Sequence, residues 1–259
     1  MARFTTSDGL SLRYEDTGSD KPVLLLSNSL GTRLEMWDPQ MPAFAAAYRV
    51  VRYDKRGHGE SQAPAGPAGF TRLTRDAIEL LDHLGIAKAD FCGLSIGGMT
   101  GMWAATHHAE RLGRLVLCNT SAAMPAIDMW NQRIATVKRE GMKPLIPSIV
   151  DRWFTRRFQQ ADPAAVARVV TMLANTHPEG YAACSAAIRD MDQRESIRSI
   201  RLPTLVIAGT HDGSTPPEKG RDIAAAIAGA RYVELDAAHL SNIEQPEAFT
   251  TAVMGFLKS

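Results

Sequence analysis

Ala89-Asp90-Phe91-Cys92-Gly93-Leu94-Ser95-Ile96-Gly97-Gly98 is the stretch from which the rest of the chain can be read. A short apolar run ends at Cys92, residues 93–97 spell G-x-S-x-G, and a helix-like run follows from Met99 to His108. Strand, sharp turn and helix are the context in which this pattern forms a nucleophile elbow. A serine at the tip of so tight a turn is forced into a strained backbone conformation. Gly93 and Gly97 must lack side chains because strand and helix pass close together there. The arrangement exposes the Ser95 hydroxyl at the positive end of a helix and leaves the Ile96 N–H free to stabilise an oxyanion.

The segments around the elbow follow a strand–helix rhythm. Phe4–Thr6 and Leu10–Tyr14 flank the turn Ser7-Asp8-Gly9 and predict a hairpin. Pro22–Leu26 and Arg49–Tyr53 are predicted as strands of the kind that a parallel sheet buries on both faces, and Leu115–Cys118, Leu202–Ala208 and Arg231–Leu235 as further strands. Helical patterns lie at Met36–Ala47, Phe70–Leu84, Pro217–Ala228 and Pro246–Leu257. Residues 122–195 hold no convincing buried strand. They carry several helical segments punctuated by prolines, with Trp130, Trp153 and Phe154 among the large apolar residues. The expected organisation is an α/β core, residues 1–121 and 196–259, interrupted by a helical cap at 122–195. The core sheet is mostly parallel, with helices on both faces.

Composition narrows the function classes. The 259 residues are 45% hydrophobic and 22% charged, with a formal net charge of +1. No basic excess suggests nucleic acid, and no apolar run has the length of a membrane span. The first residues carry no signal-peptide pattern. The three cysteines, Cys92, Cys118 and Cys184, have no paired spacing, so reduced thiols and a cytoplasmic location are expected. No set of histidines and cysteines has zinc-ligand spacing; no metal and no cofactor are expected. An oligomeric interface is not visible in the sequence, and a homo-oligomer stays open.

A nucleophilic serine needs a base, and the base needs an orienter. Ligands in parallel sheets bind beyond the carboxyl ends of the strands, so candidates should directly follow strands. Of the seven histidines, only His211 and His239 stand just past a late strand. The order Ser…Asp…His that accompanies this elbow selects Ser95, Asp212 and His239. Asp236 is the competing acid, three residues before His239 on the same loop. The second oxyanion donor is expected from the loop after Pro22–Leu26, at the backbone N–H of Leu30.

These strings, with Asp54-Lys55-Arg56-Gly57-His58-Gly59-Glu60-Ser61 and Gly209-Thr210-His211-Asp212, resemble the α/β-hydrolase fold superfamily over essentially the whole chain outside the cap. Most relatives carry His-Gly at the oxyanion loop, where this chain has Asn28-Ser29. The string Leu26-Ser27-Asn28-Ser29-Leu30-Gly31-Thr32, followed by Met36-Trp37-Asp38, is similar to 3-oxoadipate enol-lactonases, the lactone hydrolases of the β-ketoadipate route of aromatic catabolism. The resemblance implies a small anionic lactone as substrate, opened by Ser95 through an acyl-enzyme. The pocket should then be largely apolar with a cationic partner for the substrate carboxylate. The cap offers Lys138, Arg152, Arg156, Arg157 and, one helical turn from Trp130, Arg133. Arg133 is the first choice for the carboxylate, with Trp130 and Trp153 as pocket walls. Carboxylesterases or perhydrolases, C–C hydrolases and ligand-binding receptors of the same fold are the alternatives.

Overall fold

In the computed structural model, which describes residues 2–259, eight strands form one sheet in the order β1-β2-β4-β3-β5-β6-β7-β8. The strands are β1 (Ala2–Thr5), β2 (Ser11–Asp16), β3 (Val23–Ser27), β4 (Arg49–Tyr53), β5 (Ala89–Leu94), β6 (Leu112–Cys118), β7 (Thr204–Gly209) and β8 (Arg231–Leu235). The hairpin β1–β2 joins β4 antiparallel, and every pairing from β4 to β8 is parallel. The central strands are buried on both faces, which is why β3 reads Val-Leu-Leu-Leu-Ser rather than alternating.

Helices α1 (Met41–Ala47), α2 (Phe70–His83) and α3 (Ile96–His107) precede β6 or connect the strands before it. The helical pattern read at 36–47 divides in two. A 3-10 segment, Leu34–Gln40, carries Pro39, and α1 then starts with Pro42 in its first turn, where a missing N–H costs nothing. Leu73, Ala77, Leu80 and Leu81 form the buried stripe of α2. By contrast α3 is buried on nearly all sides, so it shows no amphipathic stripe.

Between β6 and β7 lie five α-helices: α4 (Ile127–Glu140), α5 (Ile146–Trp153), α6 (Arg156–Ala161), α7 (Pro163–Ala174) and α8 (Pro178–Asp190). The two ends of this insertion meet in a single bridge between Ala123 and Asp192. Thr155, Asp162 and His177 cap α6, α7 and α8 by accepting backbone N–H groups, which explains the sharp breaks between these helices. The insertion seats on the core where Gly180 of α8 meets Gly57. A Cβ on Gly180 would lie 2.3 Å from the Gly57 Cα, so neither position has room for a side chain. The chain finishes with α9 (Pro217–Ala226), a short α10 (Ser241–Glu244) and α11 (Pro246–Leu257). The four residues of α10 are too few for a periodic signal, and the sequence reading passes over them.

Candidate active site

Ser95 joins β5 to α3 with φ 59° and ψ −119°, a region costly for any residue with a Cβ. The surrounding bonds impose it. The Ser95 N–H donates to Cys118 O at 2.9 Å, and its carbonyl accepts from the Thr120 hydroxyl at 2.7 Å. A Cβ on Gly93 would lie 2.3 Å from the Gly97 carbonyl group, and one on Gly97 would lie 2.0 Å from the Ser27 carbonyl oxygen. The crossing of strand and helix therefore excludes side chains at both positions. Ser95 occupies the N-cap position of α3, yet its hydroxyl caps no N–H. It is left for chemistry.

His239, on the loop after β8, and Asp212, on the loop after β7, meet at 2.8 Å between Nδ1 and Oδ2. Asp212 Oδ1 accepts the N–H groups of Ser214 and Thr215 at 2.7 and 2.9 Å. Its Oδ2 also accepts the Thr215 hydroxyl at 2.8 Å and the Asn119 amide at 3.1 Å. Burial alone would raise this carboxyl, but the His239 charge and these donors outweigh it and hold Asp212 below the usual carboxylate range. The group is thus an anion that receives the imidazole Nδ1–H and leaves Nε2 as the basic nitrogen.

Asn119 is the contributor that sequence reasoning missed. It follows β6 directly, takes φ 45°, donates to Asp212 and to Ala238 O, and accepts from the Ser241 hydroxyl at 2.6 Å. Its place, a polar residue immediately past a parallel strand, was the available signal. Asp236 does not compete for His239. It is exposed and accepts from His211 Nε2 at 2.9 Å and from Arg157 at 2.8 Å.

Ser95 and His239 open onto one cavity of about 480 Å³, which Leu30 and Thr215 also line. The backbone N–H groups of Leu30 and Ile96 donate to no acceptor among the described residues. The Leu30 loop is held by Asn28, whose amide donates to Tyr53 O at 2.9 Å and accepts the Trp37 indole N–H at 3.0 Å. The far wall comes from α4, α5 and α8. Trp153 lies 5.8 Å from the His239 ring, and the Arg133 guanidinium sits 5.1 Å from the Trp130 ring, within cation–π range.

Arg133 and Arg152 both line the cavity, and neither forms an ion pair among the described residues. Among the described residues no aspartate or glutamate lines it. Burial, and then the Arg133 charge, pull Arg152 below its ordinary value. The other cationic candidates of the insertion point elsewhere: Lys138 pairs with Glu179, Arg157 pairs with Asp236, and Arg156 is exposed outside the cavity. The thiols of Cys92, Cys118 and Cys184 are free and buried, and none lines the cavity.

A strained serine on a strand–helix turn, a buried Asp–His pair and a sheet of this order define a class. Residues 22–246 match the alpha/beta hydrolase fold family, and the chain belongs to it. It is 40% identical over 254 residues to 3-oxoadipate enol-lactonase 2 of Acinetobacter baylyi, covering 98% of this chain and 95% of that one. The crystal structure of the enol-lactonase from Burkholderia xenovorans superposes with a TM-score of 0.97 at 44% identity, covering both chains completely. A malate-bound thermophilic esterase from Thermogutta terrifontis follows at a TM-score of 0.93 and 31% identity, over 99% of this chain and 97% of that one. The protein is a hydrolase of carboxylic esters or lactones. Among the described residues no helix is long and apolar enough to cross a membrane.

Proposed function

We propose that the protein hydrolyses 3-oxoadipate enol-lactone to 3-oxoadipate, a step of aromatic-compound catabolism by the β-ketoadipate pathway, in the cytoplasm. The observation that carries this reading is the cavity itself: it is lined by Ser95 and His239 together with two guanidiniums that have no acidic partner among the described residues. Such a wall selects a carboxylate on a small substrate. The named relatives, two of them enol-lactonases, point to the same substrate class.

In this mechanism the lactone carbonyl sits over Ser95 with its oxygen toward the Leu30 and Ile96 N–H groups. His239 Nε2 takes the hydroxyl proton as Oγ attacks, and Asp212 stabilises the imidazolium that forms. The two N–H groups receive the oxyanion. The tetrahedral intermediate collapses, the ring C–O bond breaks, and His239 returns its proton to the leaving enol, which becomes a ketone. Water then enters, gives a proton to His239 and attacks the acyl-enzyme, releasing the new carboxylate and restoring Ser95. Arg133 and Arg152 hold the carboxymethyl carboxylate throughout, with Trp130 and Trp153 as walls.

The test is ultraviolet-monitored turnover of the enol-lactone beside p-nitrophenyl acetate, with wild type and Ser95→Ala. Lactone turnover that vanishes in Ser95→Ala supports the reading. Ester turnover without lactone turnover keeps the hydrolase and rejects the substrate.

A further inference from the structure

Directly beneath the oxyanion loop lies an ammonium that the mechanism above leaves unused. Lys55 is 2% exposed, and its Nζ donates to the carbonyl oxygen of Asn28 at 2.6 Å. It also lies 5.6 Å from the Tyr53 ring, within cation–π range. It forms no ion pair among the described residues. The adjacent Asp54 carboxylate is engaged elsewhere, accepting the N–H groups of Leu34 and Glu60 at 2.7 and 3.0 Å and facing Arg13 at 3.5 Å. The other titratable groups around Lys55 are the buried Cys184 thiol on α8 and the buried His58 imidazole. A buried cation without a counter-ion is costly, and a chain keeps one where it does something a methyl group cannot.

Its position tells what that is. Asn28 is two residues before Leu30. The Asn28 carbonyl is pinned by Lys55, and the Ser29 carbonyl by the Thr32 hydroxyl at 2.9 Å and the Thr32 N–H at 3.3 Å. The Ser29–Leu30 peptide plane carries the Leu30 N–H and is held by Thr32 through the Ser29 carbonyl; the plane before it is held by Lys55 through the Asn28 carbonyl, so Lys55 fixes the backbone from which that N–H projects. The Lys55 bond is the charge-assisted one of the set, and charge-assisted bonds are roughly twice as strong as neutral ones. The same segment also seats the insertion, since Gly57 O accepts the His177 N–H at 3.1 Å.

We infer that Lys55 is a positioning residue of the oxyanion site: its ammonium, through the Asn28 carbonyl, aims the Leu30 N–H at the transition-state oxygen. The inference rests on the assignment of Leu30 and Ile96 as the oxyanion donors. It does not depend on the identity of the ester or lactone, because every acyl transfer at Ser95 passes through the same oxyanion. Lys55 should therefore act on turnover and not on ground-state binding.

The experiment compares wild type, Lys55→Met and Lys55→Arg on p-nitrophenyl acetate and on the enol-lactone, with thermal melts to check folding. Lys55→Met should lower kcat by about tenfold to a hundredfold on each substrate the wild type turns over, by a similar factor, with KM within about twofold. It should weaken a boronic acid, which mimics the tetrahedral state, and leave carboxylate inhibitors unchanged. Lys55→Arg, which keeps the charge, should recover part of kcat. Burial pulls the Lys55 ammonium down to about 7, against the raising effect of Cys184 and Asp54, so kcat should fall on the alkaline side as the proton leaves. A Lys55→Met kcat within threefold of wild type overturns the inference. So does a Lys55→Arg variant that recovers none of the kcat lost in Lys55→Met. Absence of lactone turnover with these ester effects intact would remove the substrate and keep the role of Lys55.

Discussion

On the proposed function, replacing both cavity arginines with methionine should abolish any preference for a substrate that carries a carboxylate. Arg133 and Arg152 share a cavity that no acidic side chain lines among the described residues, and burial, followed by the Arg133 charge, holds Arg152 below its ordinary value. A substrate carboxylate placed between them relieves that repulsion and gains charge-assisted hydrogen bonds worth about 1.5–3 kcal/mol each. By RT ln K, loss of one such bond corresponds to roughly a tenfold to 150-fold rise in KM. Arg133→Met also gives up the cation–π contact with Trp130, worth about 0.5–1 kcal/mol. Because both guanidiniums serve one carboxylate, the double substitution should depart from the product of the singles by about 0.5–3 kcal/mol. The assay is steady-state kinetics of the four proteins on the lactone, with p-nitrophenyl acetate as a substrate that carries no charge. Lactone KM should rise while kcat stays within about threefold, and the ester KM should move by less than about twofold. A double variant whose lactone KM is unchanged would refute the reasoning, as would an equal rise on the ester.

Three further outcomes follow from the geometry. Asn119→Ala removes a donor to Asp212 and leaves the buried Ser241 hydroxyl without its acceptor, a cost of about 1–3 kcal/mol. Calorimetry should show Tm lower by roughly 3–10 °C, and an unchanged Tm counts against the network. Gly97→Ala forces a Cβ to 2.0 Å from the Ser27 carbonyl oxygen, where only backbone could yield, so fluorophosphonate labelling of Ser95 should be lost; labelling at the wild-type rate would show that the crossing can open. His58 is buried, and burial followed by the Lys55 charge pushes it down to about 4, with its bond to Arg56 O pulling the other way. The unfolded chain therefore binds this proton first, and stability falls as pH drops from about 6.5 to about 4, by about 3 kcal/mol in all. Urea unfolding across that window should give a flatter pH dependence for His58→Gln, and an identical slope would remove His58 as the cause.

The sequence by itself was sufficient for whatever short-range chemistry and periodicity encode. Apolar runs of strand length, the stripe of α2 and the glycines around Ser95 are local demands, legible because a twofold or 3.6-fold repeat or a steric exclusion needs only neighbours. The rank order of candidates along the chain singled out Asp212 and His239, and the fold brings them to 2.8 Å. What the chain alone left open depends on approaches between residues far apart in sequence. Of the five basic residues weighed in the insertion, the sequence favoured Arg133 for its spacing from Trp130, and only the packing of α4 and α5 over the sheet brought Arg152 to the same cavity while Lys138 and Arg157 found surface partners. Asn119 reads as an ordinary loop asparagine until β6, β7 and the β8–α10 loop converge on it from 93 and 122 residues away. Lys55 looks like a surface cation by composition, and tertiary burial makes it an ammonium held beneath the Asn28 carbonyl. Charge and hydrogen-bond partners are decided by where desolvation falls, and desolvation belongs to the assembled fold rather than to any stretch of it.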